Sequence, residues 1–272
     1  MKAVRFDWGP LLQGGPLFIG ILNLTPDSFS DGGRFTDPLA ALNQARSLRD
    51  SGVRLLDLGA ESTRPGAVPV DPATEWARLE PVLSLLATHL PDLPLSLDTR
   101  HAATAARGLA AGVAVLNDVT GFVGAEMQAV AMAASCGLIA MRSRSQGPGF
   151  LMPPYEDPTP REAQQAIGEL RALRDRLRET GISAHRVLLD PGFGFGTTYL
   201  EDRALWAALP LLPKALAWPV DRFCLGLSRK RFLAARAGTP GLPPEQRDGL
   251  TAEAHSEAFE CGYRVFRTHA IG

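Results

Sequence analysis

The chain has 272 residues, of which 45% are hydrophobic and 21% are charged, and 28 Lys and Arg against 29 Asp and Glu give a net charge of -1. This composition is typical of a soluble globular protein with its own core, and the charge balance excludes a bulk attraction to nucleic acid or to an anionic membrane. No apolar run is long enough to predict a membrane span. The three cysteines are far apart, which predicts neither a disulfide framework nor a zinc cluster and favours a cytoplasmic protein.

Short apolar runs alternate with longer helical stretches along the whole chain. Eight runs have the length and composition of buried strands, at residues 18–22, 53–58, 95–97, 113–116, 137–140, 186–189, 223–226 and 265–267. Between them, Asp37 and Asp71 each precede a proline, a pattern that places a capping carboxylate before the first helical position. The sequence therefore predicts eight strand–helix units.

The spacing of these units favours one architecture. The ends of the predicted strands recur about every 35 residues, close to the roughly 31 residues of one unit in an eightfold barrel. We therefore predict an α/β fold, a single TIM (β/α)8 barrel domain over residues 1–272, with the final helix missing from the chain as given. A doubly wound open sheet is the alternative, but it usually has a Gly-rich fingerprint after the first strand, where this chain has Asn23, Leu24, Thr25 and Pro26.

Polar side chains follow nearly every predicted strand, at the end where TIM barrels carry their working residues. Asp98, Asn117 and Asp190 form a set of acceptors suited to a flat heterocycle that presents a row of N–H donors. A second set is matched to an anion such as phosphate or pyrophosphate and comprises Asn23, Arg64, Ser228, Arg229, Arg267 and His269. Lys230 is one of only three lysines, and a compact ammonium between two arginines suggests a separate task.

Several motifs resemble those of one known family, the dihydropteroate synthases. They are Gly20-Ile21-Leu22-Asn23-Leu24-Thr25-Pro26-Asp27-Ser28-Phe29-Ser30-Asp31-Gly32-Gly33, Glu61-Ser62-Thr63-Arg64-Pro65-Gly66, Asp98-Thr99, Asn117-Asp118-Val119, Asp190-Pro191-Gly192-Phe193-Gly194-Phe195-Gly196 and Leu227-Ser228-Arg229-Lys230. The matches run in family order from residue 20 to about residue 269. The first and fifth motifs are long enough to be highly specific.

The resemblance implies a transferase of folate biosynthesis that condenses 6-hydroxymethyl-7,8-dihydropterin pyrophosphate with p-aminobenzoate, using Mg²⁺, in a homodimer and as a target of sulfonamides. It implies that the pterin is held by Asp98, Asn117, Asp190 and Lys230. It implies that pyrophosphate is held by Asn23, Thr63, Arg64, Arg267 and His269, with Asn23 also a ligand of Mg²⁺. The aminobenzoate would lie among Phe29, Pro65, Phe195, Ser228 and the stem of Lys230. Arg64, Lys230, Arg267 and His269 are the expected catalytic residues.

The chain also departs from the family pattern. Thr197 stands where a lysine is usual, Met141-Arg142-Ser143-Arg144 replaces a run of the Met-His-Met type, and Ala270 replaces a terminal aspartate. Three other hypotheses stay open. A related barrel transfers a methyl group from a methyltetrahydrofolate to a corrinoid, a reaction with no use for Arg64. A non-catalytic homologue would bind pterin without forming product, and a Schiff-base aldolase using Lys230 would be trapped by borohydride.

Overall fold

Eight parallel strands form a closed barrel in the computed structural model, which describes residues 6–25, 37–62, 67–144 and 163–271. The strands are β1 Leu17–Asn23, β2 Leu55–Gly59, β3 Leu95–Asp98, β4 Val115–Asp118, β5 Gly137–Met141, β6 Val187–Asp190, β7 Cys224–Leu225 and β8 Val265–Thr268. Each pairs with its neighbour in chain order, β8 pairs with β1, and a parallel bridge from Leu189 to Phe223 joins β6 to β7. The eight predicted strands and the TIM barrel are confirmed.

Helices surround the barrel. Within the described residues they are α1 Gly9–Leu12, α2 Pro38–Asp50, α3 Pro72–His89, α4 Ala102–Ala110, α5 Ala125–Ala133, α6 Ala163–Glu179, α7 Tyr199–Ala208, α8 Leu212–Leu216, α9 Arg231–Arg236 and α10 Asp248–Glu260. The predicted caps are confirmed, since Asp37 accepts a hydrogen bond from the Leu39 N–H and Asp71 accepts from Ala73 and Thr74. No helix follows β8 up to Ile271, and none in the described part of the chain has the length and apolar character to cross a membrane.

The apolar core has two layers that the barrel wall separates. The outer layer packs the strands against the helices, and the inner layer fills the lower half of the barrel. The sequence did not predict α1, which lies across the bottom of this inner layer. There Trp8 is fully buried, and its Nε1–H donates to the carbonyl of Arg186 over 2.8 Å. Trp8 and α1 therefore close the lower end of the barrel.

Candidate active site at the barrel mouth

A polar layer lies directly above the apolar floor of the barrel. On four strands a residue of the floor is followed two positions later by a polar residue: Leu55 by Asp57, Val115 by Asn117, Leu188 by Asp190 and Val265 by Arg267. Because side chains alternate along a strand, the second residue of each pair points into the same barrel interior, one layer higher. The register also places Asn23 beside Gly59, Gly59 beside Asp98 and Asp98 beside Asn117. The predicted polar residues that the structure describes on these strands thus meet at one mouth.

Arg267 lies at the centre of this mouth between two carboxylates. Its Nε donates to Asp57 Oδ2 over 2.5 Å and its Nη2 donates to Asp98 Oδ2 over 2.7 Å. Asp57 Oδ2 also accepts from Asn117 Nδ2 over 2.8 Å. The sequence had assigned Arg267 to the anion-binding set and Asp98 to the heterocycle-binding set, whereas the structure joins them in one ion pair. This pairing fixes the plane of the guanidinium and leaves its Nη1 donors without a carboxylate partner among the described residues.

Asp57 is a polar residue near a predicted strand end to which the sequence analysis gave no role in the site. It is fully buried, and its Oδ1 has no hydrogen-bond partner among the described residues. The sequence analysis assigned roles to residues just past the strand ends, whereas Asp57 lies inside β2. The signal that finds it is the spacing from the barrel floor, since Asp57 follows the floor residue Leu55 by the same two positions as its neighbours in the mouth follow theirs.

Burial changes the pKa of both carboxyl groups expected to hold the heterocycle. Desolvation raises the pKa of Asp98 to about 7, with Arg267 opposing the shift and Asp57 adding to it. Desolvation also raises the pKa of Asp190 to about 6, against the Gly192 N–H that donates to its Oδ1 over 2.8 Å and against Lys230. Carboxyl groups in this condition gain most from a ligand that presents N–H donors or positive charge.

Lys230 lies over an aromatic ring at the same mouth. Its Nζ is 4.1 Å from the centroid of the Phe195 ring, a cation–π contact. Burial lowers the pKa of Lys230 to about 8, while Asp190 and Asp202 oppose this shift and Arg267 adds to it. The ammonium therefore remains the major form at neutral pH and lies between a flat ring and the acceptor set.

Ser228 and His269 form a hydrogen-bonded pair beside Lys230. Ser228 Oγ is 2.9 Å from His269 Nδ1 and accepts from the His269 backbone N–H over 3.1 Å. Burial, and then Arg267, Arg229 and Lys230, lower the pKa of His269 to about 3, so the ring is neutral in the free protein. If the Ser228 hydroxyl donates to Nδ1, the ring carries its proton on Nε2, and the Nε2–H is then its free donor.

Arg229 joins this pair to Lys230 through a strained backbone. Its φ is +59°, a left-handed value that costs free energy in any residue with a side chain. Three contacts hold it there. The side chain forms a two-point ion pair with Asp248 at 2.7 and 2.8 Å, the N–H donates to Thr251 Oγ1, and the carbonyl accepts from Arg247. This backbone conformation sets the directions in which the side chains of Ser228 and Lys230 point.

The two arginines that depart from the family pattern brace the loop after β6 from outside the mouth. Arg142 is 4% exposed and donates from Nε to the Pro191 carbonyl over 2.7 Å and from Nη1 to Glu169 over 2.7 Å. Arg144 also pairs with Glu169, and with Glu201 of α7. Gly192 permits this close approach, because a Cβ there would lie 1.8 Å from the Arg142 carbonyl oxygen. The departure thus supplies support for the loop that carries Asp190 and Phe195.

Other predicted site residues differ in how far the structure describes them. Asn23 ends β1 at the mouth and is partly exposed. Four lie outside the described residues and stay predictions: Phe29, Thr63, Arg64 and Pro65. The described residues contain no cluster of three or more His, Cys, Asp or Glu that would hold a metal ion.

Fold and mouth together define a pterin-binding barrel enzyme, and the comparisons agree: the family described as pterin binding enzyme matches residues 19–269. The dihydropteroate synthase of Synechocystis sp. is 34% identical over 271 residues, which cover 98% of this chain and 88% of the relative. The Xanthomonas albilineans dihydropteroate synthase, solved with 4-aminobenzoic acid, matches with a TM-score of 0.83 and 33% identity, covering 99% of this chain and 94% of that chain. A second structure of that enzyme, in complex with 7,8-dihydropteroate, has a TM-score of 0.80 and 31% identity, covering 98% and 93%.

Within the pterin-binding enzymes, the chain belongs to the dihydropteroate synthases, which are transferases of folate biosynthesis. The resemblance found in the sequence motifs is thereby confirmed. The substrates of this chain are small molecules.

Proposed function

We propose that the mouth of this barrel condenses 6-hydroxymethyl-7,8-dihydropterin pyrophosphate with p-aminobenzoate to give dihydropteroate and pyrophosphate. The observation that supports this assignment most strongly is the Arg267 ion pair with Asp57 and Asp98. It brings acceptors for a donor-rich heterocycle and a cation for a phosphate group to one point. The roles of the individual residues follow from their contacts.

The pterin is held, in this proposal, by Asp98, Asn117, Asp190 and Lys230. The Asn117 Nδ2 is already engaged by Asp57, so its amide oxygen faces the ligand as an acceptor. The aminopyrimidine edge of a pterin presents adjacent N–H donors, which a buried carboxylate accepts through two parallel bonds. Those bonds, like the charge of Lys230, favour the ionised form of Asp190, whose pKa burial raises to about 6.

The pyrophosphate is held by Arg267 and His269 together with Thr63 and Arg64. Arg267 retains Nη1 donors beyond its two carboxylate bonds, and the neutral His269 ring offers its Nε2–H. Donors fixed in advance stabilise charge that develops on a leaving group, because they need not reorient as the bond breaks. The C–O bond to pyrophosphate then breaks with both electrons going to oxygen, and the carbocation left on the methylene is delocalised into the dihydropterin ring.

Asn23 fits a Mg²⁺ that arrives with the pyrophosphate. Magnesium usually keeps several waters and binds one or two protein oxygens beside substrate phosphates. A single amide oxygen at the mouth, without a cluster of carboxylates among the described residues, suits that mode. When bound, the ion would neutralise charge on the pyrophosphate oxygens.

The aminobenzoate ring lies against Phe195 and the stem of Lys230, with Phe29 and Pro65 completing the slot and Ser228 near its carboxylate. The Lys230 contact with Phe195 supports a flat slot beside the pterin. The aniline nitrogen attacks the methylene carbon with its lone pair and then loses a proton to water, so no general base is required. Sulfonamides, as aromatic amines of similar shape, are expected to compete for this slot.

The oligomeric state, location and partners of the protein are also part of this proposal. We expect a homodimer in the cytoplasm, with the chain as one barrel domain and no nucleic-acid or membrane partner. The near-neutral net charge and the free thiols of Cys136, Cys224 and Cys261 support this expectation. Light scattering of the purified protein measures the oligomeric state.

The proposal is tested by measuring pyrophosphate release from the pterin substrate with and without p-aminobenzoate. We expect Arg267→Ala and Arg64→Ala to lower turnover by on the order of 10²-fold or more. Arg49→Ala is the matched control, since Arg49 also pairs with an aspartate but lies exposed on α2. Failure of the wild type to release pyrophosphate from this substrate would refute the reaction, and normal turnover of Arg267→Ala would refute the role of Arg267.

A further inference from the structure

A buried carboxylate that the proposed mechanism does not use lies behind the aminobenzoate slot. Asp202 is in the first turn of α7 and is 1% exposed. Its Oδ1 accepts from Thr197 Oγ1 over 2.7 Å and from the Gly194 N–H over 3.1 Å. The Gly194 N–H also donates to Thr197 Oγ1 over 3.0 Å. One carboxylate therefore ties α7 to both ends of the turn formed by residues 194–197.

This turn is in direct contact with Lys230. A Cβ placed on Gly194 would lie 3.3 Å from Lys230 Cδ and 3.5 Å from Lys230 Nζ, so the backbone of the turn passes against the lysine stem. The next residue, Phe195, places its ring under the ammonium. Movement of the turn would change the position of the ring and of the ammonium together.

Asp202 also contributes negative charge near Lys230. The groups that face Lys230 come from several elements: Asp190 from β6, Asp202 from α7, Arg267 from β8 and His269 from the segment after β8. Arg142, directly after β5, adds positive charge near both carboxylates. Asp190 and Asp202 are the carboxylates whose charge favours the Lys230 ammonium.

We propose that Asp202 is a positioning residue for Lys230, which holds the turn of residues 194–197 against the lysine and supplies the second negative charge that balances its ammonium. This inference also accounts for Thr197, the position where the family resemblance led us to expect lysine. Its hydroxyl accepts from Gly194 and donates to Asp202, which completes the cluster.

The neighbouring carboxylate Glu201 provides a matched control. It lies in the same helical turn and is 6% exposed, but it pairs with Arg144 and with the Thr198 N–H in a capping box. Glu201→Gln removes the same charge and keeps a residue that the capping box accepts. Asp202→Asn keeps the side-chain shape and an acceptor oxygen, so the two variants differ chiefly in which group loses a counter-charge.

The experiment is an NMR titration of protein labelled with ¹³C at the lysine Cε. The chain has only Lys2, Lys214 and Lys230, so three resonances are expected, and the one lost in Lys230→Arg is assigned to Lys230. We expect wild-type Lys230 to titrate near its lowered pKa of about 8. Asp202→Asn should move this midpoint down by about one pH unit, because an opposing charge nearby favours the ammonium. Glu201→Gln should leave it near the wild-type value.

A Lys230 midpoint that Asp202→Asn moves no further than Glu201→Gln would overturn the proposal. Should Asp202→Asn fail to fold, Thr197→Val provides a second test of the role of Asp202. The Lys230 resonance should also show a second, lower inflection where Asp202 becomes protonated, near the pKa of about 6 to which burial raises this carboxyl. Removing the Thr197 hydroxyl donor should raise the pKa of Asp202 further and so move this lower inflection to higher pH. An unmoved lower inflection would count against Asp202 equally.

The consequence for catalysis rests on the proposed role of Lys230 in holding the pterin. If the ammonium binds the substrate, the alkaline limb of kcat/KM should move to lower pH in Asp202→Asn by the same amount as the NMR midpoint. A shifted midpoint with an unshifted limb would refute the role of Lys230 in substrate binding while leaving the Asp202 contact intact. The two failures are therefore distinguishable.

Discussion

At the scale of single residues, the mouth is organised by a buried ion pair that is costly to desolvate. Arg267 and Asp57 give up their hydration for one 2.5 Å contact, and Asp57 Oδ1 is left without a partner among the described residues. A buried pair of this kind is weak evidence for stability, since apolar residues of equal volume often stabilise as much. Its value here is positional, because it fixes the Arg267 guanidinium and the Asn117 amide at the mouth, where the proposed mechanism places the leaving group and the heterocycle.

Asp57→Asn is therefore expected to affect catalysis strongly. An amide cannot offer Arg267 a full negative charge, and its nitrogen would compete with the Asn117 donor for one position. We expect kcat/KM to fall by on the order of 10²-fold, since a donor that is no longer held in place stabilises the developing charge of the leaving group less. Steady-state kinetics measure this, with Asp50→Asn as control, because Asp50 forms an exposed pair with Arg49. A less than threefold loss would show that Asp57 does not organise the mouth.

At the scale of elements, the strands were predictable because their signal is local. An apolar run between turn residues marks a buried strand without knowledge of its partners. Helix α1 was not predictable in this way, since it has four residues and its reason for folding is distant. Trp8 bonds to Arg186, and a Cβ on Gly137 would lie 2.6 Å from the Phe6 ring and 3.0 Å from Trp8. These contacts join positions more than a hundred residues apart.

The same distinction explains what was predictable in the site. The family motifs identified the residues of the mouth, but their pairing depends on the barrel. Arg267 contacts Asp98 across 169 positions of sequence, and no local pattern announces that bond. The role of Asp57 required the register between strands and barrel floor, which the sequence prediction approximated only to within a residue or two.

Trp8→Ala tests how Trp8 and α1 close the lower end of the barrel. Removing a fully buried tryptophan should lower the free energy of unfolding by about 3–5 kcal/mol, through lost burial and the cavity left behind. Trp8 lies at the end of the barrel opposite the mouth, so kcat/KM should stay within about twofold of wild type while the protein remains folded. Urea unfolding and steady-state kinetics measure the two quantities, with the exposed Leu39→Ala as control. A large loss of activity in the folded variant would contradict this separation.

At the scale of the whole molecule, the outside of the barrel carries its own titrating group. His255 of α10 is 6% exposed and packs on Phe266 of β8 with ring centroids 4.8 Å apart. It borders a cavity of about 260 Å³ whose wall also includes Phe18 of β1. Its Nε2 has no hydrogen-bond partner among the described residues, and burial lowers the pKa of His255 to about 4. This part of the barrel wall therefore disfavours the protonated, charged form of the His255 ring.

This exclusion predicts that His255 makes the fold sensitive to acid. The unfolded chain binds a proton at this histidine below its usual value of 6.5, whereas the folded chain does so only near 4. Stability from this group is therefore lost as the pH falls through that window, by up to about 1.4 kcal/mol per pH unit. His255→Leu lacks the proton-binding group, so its free energy of unfolding relative to wild type should rise by about 2 kcal/mol between pH 7 and pH 5. Comparing the two pH values cancels any constant change in packing. Urea unfolding measures the difference, and the exposed His89→Gln should show no such rise. If His255→Leu and wild type lose stability in parallel, then the imidazole is protonated in the folded protein and the wall around it admits charge.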